Sequence, residues 1–194
     1  MQVQTSVANQ VNLISAAGTS LTFWDGNGPA ANGVINGGSG VWSATAPRWT
    51  DATGVASGTP GAGAFVIFQG APGIVTIDNS AGAVGPSGLQ FAANGYEVTG
   101  GALALTSPLT TIRVGDGTAA SAGMMATISA PLTGSGGLLK TDFGTLFLTG
   151  NNTYSGATQT DAGTLLMGSG IALGTSGRLT IGSAGTLDLG GFSL

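Results

Sequence analysis

The sequence predicts an all-β fold: a single elongated domain over residues 1–194, a coil of short strands stacked turn upon turn. Three observations carry this prediction. Stretches of the form Gly-x-aliphatic-x-aliphatic recur, as GALAL at 101, GTLFL at 144, GTLLM at 163, GRLTI at 177 and GTLDL at 185. Their apolar residues fall two apart, which is the period of a half-buried strand. The segments between are filled with Gly, Ser, Thr, Asn and Asp, and the step from Gly144 to Gly163 is 19 residues and from Gly163 to Gly185 is 22, a repeat near 20. Finally, no ten-residue stretch is patterned as an amphipathic helix, because Gly, Ser, Thr and Pro interrupt every candidate.

Such a repeat cannot fold alone. Each turn buries two or three aliphatic residues at about 1.5 to 3 kcal/mol each, which does not offset the entropy of ordering about 20 residues. Stacking supplies the missing surface. The alternation then places Leu146, Leu148, Leu165, Leu187 and Leu189 inward as ladders and turns Thr145, Phe147 and Thr164 outward. Glycine and asparagine suit the corners, where the chain bends sharply and φ turns positive.

Composition agrees. Glycine, 37 of 194 residues, is about 19%, far above the usual level of about 7%. Yet 42% of residues are hydrophobic and only 6% charged, so the chain has apolar material to bury and little charge to resist burial. Four Lys and Arg against eight Asp and Glu, with no basic cluster, leave nothing to neutralise a phosphate backbone, and no nucleic-acid partner is expected. The densest apolar run, AFVIF at 64–68, is far shorter than the ~18 residues of a membrane-spanning helix. With no cysteine and no histidine, disulfides, thiolate sites and histidine general bases are excluded, and no cofactor is expected. The amino terminus has neither the basic n-region nor the apolar core of a secretory signal, and the chain reads as a piece of a longer one.

Residues 138–169, LLKTDFGTLFLTGNNTYSGATQTDAGTLLMGS, resemble the autotransporter-associated β-strand repeat of bacterial type V secreted passenger domains. The pattern is kept at Lys140, Thr141, Gly144, Leu146, Leu148, Gly150, Asn152, Thr153, Tyr154, Gly156, Thr158, Ala162, Gly163 and Leu165. It is broken at Asp142, where glycine is usual, at Phe143, where a small residue is usual, and at Thr160, where an aliphatic one is usual. Looser similarity to the same passengers covers LTFWDGNG at 21–28, GVW and PRWT within 40–50, and much of 88–119. The resemblance implies a right-handed parallel β-helix, exported through the periplasm and outer membrane and secreted or displayed at the cell surface, with a translocator β-barrel elsewhere in the full-length chain. Residues 1–60 then read as a Trp-rich amino-terminal cap and 61–194 as β-helix turns.

Few residues suggest chemistry. Trp24, Trp42 and Trp49 lie close together in sequence and are candidate ligand-binding aromatics for a sugar ring; the favoured reading is that they close the core at one end. Asp25 in WDGNG and Asp116 in GDGT resemble parts of calcium loops but lack the neighbouring oxygen ligands, so they read as turn residues and no metal site is expected. Asn151-Asn152-Thr153 is formally a glycosylation sequon and reads better as a corner. Lys140 and Arg113 could pair with a carboxylate and read as solvated. No G-x-S-x-G occurs, and a serine triad has no histidine to use.

The function expected is a non-catalytic extracellular module, a β-helical stalk or adhesive surface facing a host or cell-surface glycan or protein. The alternatives are a polysaccharide lyase or glycosidase, for which Asp142 and Asp161 on adjacent turns are the best carboxylate pair, and a tryptophan-based carbohydrate-binding module. Self-association is also expected through a helix end, with Leu187, Leu189 and Phe192 at the edge near Leu194.

Overall fold

The computed structural model describes residues 2–4, 12–14, 20–26, 31–61 and 63–194. Most of the amino-terminal stretch, together with Asn27 and Gly28 of the WDGNG segment, lies outside them. Among the described residues the fold is all-β, and its one helical element is the 3-10 turn Ala119–Gly123.

Two series of strands account for most of the structure. The first contains Leu21–Trp24, Phe65–Phe68, Gly88–Phe91, Leu109–Val114 and Gly137–Thr141. The second contains Gly40–Ser43, Ile74–Asp78, Glu97–Gly100, Met125–Ile128 and Thr145–Leu148. Within each series, every strand pairs in parallel with the strand one turn later in the chain. The ten-residue strands Thr158–Met167 and Leu179–Asp188 extend both series at once; in the first, only Asp161, Ala162 and Gly163 separate the residues that pair with each series, and the second pairs along it. Both series therefore belong to one 14-stranded sheet.

The predicted period is visible in the register. Leu146 stands opposite Leu165, and Leu165 opposite Leu187. Leu146, Leu148 and Leu165 are fully buried, whereas Thr145, Phe147 and Thr164 are half-buried on the outer face. Leu187 and Leu189 pack against the same core and are partly buried. A third, shorter column begins with the parallel bridge between Val84 and Leu103 and continues as Leu103–Ala104 beside Leu132–Thr133.

The expectation of purely parallel stacking needs correction at the Trp49 end. Trp49–Thr50 pairs antiparallel with Phe23 and Trp24, and Ser57–Gly58 pairs antiparallel with Trp49–Thr50, so the sheet is mixed. Strand alternation also fails for Phe65–Phe68, where all four residues are buried. Val66 and Phe68 join the main core, while Phe65 and Ile67 form a second cluster with Phe23, packed by Ile35 and Ala92. Gly88, opposite Phe65 in the register, leaves room for that ring: a Cβ there would meet it.

Candidate functional site

Strand placement gathers the three tryptophans into one block. Trp24 ends one strand, Trp49 begins another and Trp42 lies within Gly40–Ser43; all three are at most 1% exposed. Trp49 lies edge-on to both others, with centroid distances of 5.0 Å to Trp24 and 5.1 Å to Trp42. Phe68 touches all three, and Phe91 stacks on it at 5.0 Å, so the block continues into the core. A sugar-stacking platform needs an open ring face; these faces are packed against one another. Trp24 Nε1 donates to the Gly38 carbonyl at 2.7 Å, whereas Nε1 of Trp42 and of Trp49 meets no described acceptor.

The aspartates act mainly on backbone turns. Buried Asp25 Oδ1 accepts the Asn36 N–H at 2.8 Å and Asn36 Nδ2 at 3.0 Å. Asp116 Oδ1 accepts the main-chain N–H and hydroxyl of Thr118. A Thr53 hydroxyl bond holds exposed Asp51 below the usual carboxylate range, and bonds from Ser80 do the same for Asp78. Among the described residues, no three acidic, His or Cys side chains are grouped so as to hold a metal ion.

The repeat segment contains a corner that the sequence reading placed wrongly. Lys140 is fully buried rather than solvated. It follows Leu138 by two positions on the inward face and stands in register between Ile112 and Thr160. Its Nζ curls back to the corner, donating to the carbonyls of Thr141 and Asp142 at 2.8 Å and of Ala162 at 3.0 Å. Burial pushes its ammonium down to about 8, while Asp142 pulls it upward. Strand parity could have revealed this, since Leu138 and Lys140 share a face.

Asp142 sits at the apex with φ of 68°, the left-handed region that explains why glycine is usual there and why Asp is tolerated. Its carboxylate accepts Arg113 Nη2 at 2.9 Å and the Phe143 N–H at 2.9 Å, so Arg113 is paired across a turn rather than solvated. Asp161, the other half of the suggested catalytic pair, accepts Gln159 Nε2 at 2.7 Å on the surface. The two carboxylates thus have separate partners.

Asn152 is the second residue whose role exceeds the reading of it as a corner. It is buried and bridges three turns: the Leu132 N–H donates to its Oδ1 at 2.8 Å, and its Nδ2 donates to the Ala172 carbonyl at 2.6 Å. The side chain thus continues the third column where no strand pairs. Two residues on, the buried Tyr154 hydroxyl bonds Thr158 Oγ1 at 2.6 Å, and burial pushes its phenol up to about 12. Asn151, the formal glycosylation acceptor, is exposed.

Lys140, Asn152 and Tyr154 lie within a known repeat. Residues 138–167 match the family described as Passenger-associated-transport-repeat. The chain is also 51% identical, over 177 residues, to the Adhesin BmaC autotransporter of Brucella suis biovar 1 (strain 1330). That similarity covers 90% of this chain and 5% of the relative, so the chain spans about a twentieth of the protein it matches. No solved structure matches. The matched repeat and the similarity over 90% of the chain together support an autotransporter passenger domain, secreted to the bacterial cell surface.

Proposed function

We propose that this chain is a right-handed parallel β-helical segment of an adhesin, holding and forming an adhesive surface without catalysing a reaction. The observation that carries the reading is the parallel register within each strand series, which repeats outward residues as well as inward ones. On the second series, Thr145, Thr164 and Thr186 stand in one row, and Phe147, Leu166 and Asp188 in the next. Upstream on the same outer face, Val41, Ile74 and Met125 are exposed. A face of hydroxyls and apolar groups with few charges suits a neutral glycan or protein on a host or cell surface. The relative's description as an adhesin supports the same reading. Residues 1–60 act as the cap of this segment, with the tryptophan block as its plug.

The test uses the 194-residue chain coupled to beads and applied to cultured host cells and to a glycan array. Adhesion that drops several-fold in a Thr145→Lys, Thr164→Lys double variant of unchanged melting temperature supports an adhesive face. Absence of adhesion by the parent chain contradicts it and leaves a stalk. Turnover of a polysaccharide by the chain would contradict the non-catalytic part.

A further inference from the structure

Trp42 lines a cleft of about 280 Å³ together with Pro60, Gly61, Val84 and Pro86, and no side chain in its lining carries a charge, a hydroxyl or an amide. In this neutral lining the Trp42 indole N–H is buried and without a described acceptor. Among the described residues, the cleft lies at the first level of the third column. Val84 bridges to Leu103, and its carbonyl accepts the Ala104 N–H at 2.8 Å, so Val84 faces the following turn. Main-chain groups alternate in direction along an extended strand. Ala83 and Gly85 therefore aim theirs toward the opposite edge, and neither has a main-chain hydrogen bond to a described residue. Both line the cleft.

We propose that residues 83–85 are a docking edge for an extended, uncharged peptide segment of another polypeptide. The peptide pairs with the Ala83 and Gly85 main chain and seats a small apolar side chain between Pro60 and Pro86, leaving the buried Trp42 ring beneath it as a reporter of occupancy. Strand addition of this kind takes its affinity from main-chain bonds and its selectivity from alternate side-chain pockets. A saccharide fits poorly, since its hydroxyls would find no polar side chain to orient them. The column itself indicates the occupant's chemistry: one level below, the chain places the apolar Leu103 and Ala104, and the next level holds Leu132. The inference stands apart from the adhesive outer face and survives the loss of that reading.

The test is NMR titration of the full chain with the synthetic peptide Gly-Ala-Leu-Ala-Leu-Thr, the sequence of residues 101–106. The expected result is saturable movement of the Trp42 indole N–H and of the Ala83 and Gly85 amides. Alternate N-methylation of the peptide, which blocks pairing on one edge and keeps its apolar groups, should weaken binding at least 10-fold when the methyls fall on the pairing edge. The proposal is overturned if these signals stay still at millimolar peptide, if peptides methylated on either edge bind as well as the parent, or if a neutral oligosaccharide such as cellohexaose moves the same signals.

Discussion

Replacing Asn152 by alanine removes one side chain and strands two main-chain groups. The Leu132 N–H and the Ala172 C=O each lose their bond to it, at 2.8 Å and 2.6 Å, in a site where Asn152 is 2% exposed. An unsatisfied buried donor or acceptor costs about 1–3 kcal/mol, so the expected loss for the two groups is about 2–6 kcal/mol. With a urea m-value of about 2–3 kcal/mol/M, the midpoint falls by roughly 1–3 M. Asn152→Asp sharpens the test, because a carboxylate still accepts from Leu132 yet repels the Ala172 carbonyl. At neutral pH that variant should be no more stable than Asn152→Ala, and it should recover in acid, where its protonated carboxyl can donate again. A loss under about 0.5 kcal/mol for Asn152→Ala, the level of an ordinary surface change, refutes the claim that this amide couples three turns.

Other expectations follow from the same contacts. Leu146→Asp places a charge within the leucine ladder and should abolish cooperative unfolding by circular dichroism; a soluble, cooperatively folded variant would remove Leu146 from the core. Lys140 titrates at about 8 when folded and 10.5 when unfolded, so the unfolded chain holds its proton longer and stability should rise with pH between these values. Above about pH 10 the raised phenols of Tyr96 and Tyr154 act oppositely, so the slope is best read between pH 8 and 10, and Lys140→Met should remove it. Arg113→Ala should cost about 1–3 kcal/mol more beside Asp142 than in an Asp142→Gly background, because only the former leaves a buried carboxylate unpaired.

The repeat was legible because its signal is local and periodic. Leucines two apart, spaced by about 20 residues, specify both the strand face and the partner turn, and Leu146, Leu165 and Leu187 align as that pattern requires. That the tryptophans are buried together agrees with reading them as core or cap, but the antiparallel pairing around them was not foreseen, because the Trp49–Thr50 contacts join residues with no repeat to set their register. The second cluster around Phe65 was hidden for a related reason: the segment that covers it, around Ile35, carries no strand pattern of its own. Lys140 was misplaced because charge was weighed above parity; three backbone carbonyls at a corner solvate its ammonium in place of water. Asp142 was seen as a departure from glycine, and only its φ and its bond to Arg113 show what the substitution accomplishes.

Parallel stacking of one turn on the next is the central claim, and a cysteine pair tests it directly because the chain has no cysteine of its own. Thr145 and Thr164 are register partners on the outer face, and adjacent strands lie about 4.8 Å apart, within disulfide reach. A Thr145→Cys, Thr164→Cys variant should oxidise to an intramolecular disulfide under mild conditions with its strand spectrum intact. The slipped pair Phe147→Cys, Thr164→Cys should oxidise far more slowly. Faster closure of the slipped pair, or closure of the aligned pair only after denaturation, would contradict the stacking of these turns.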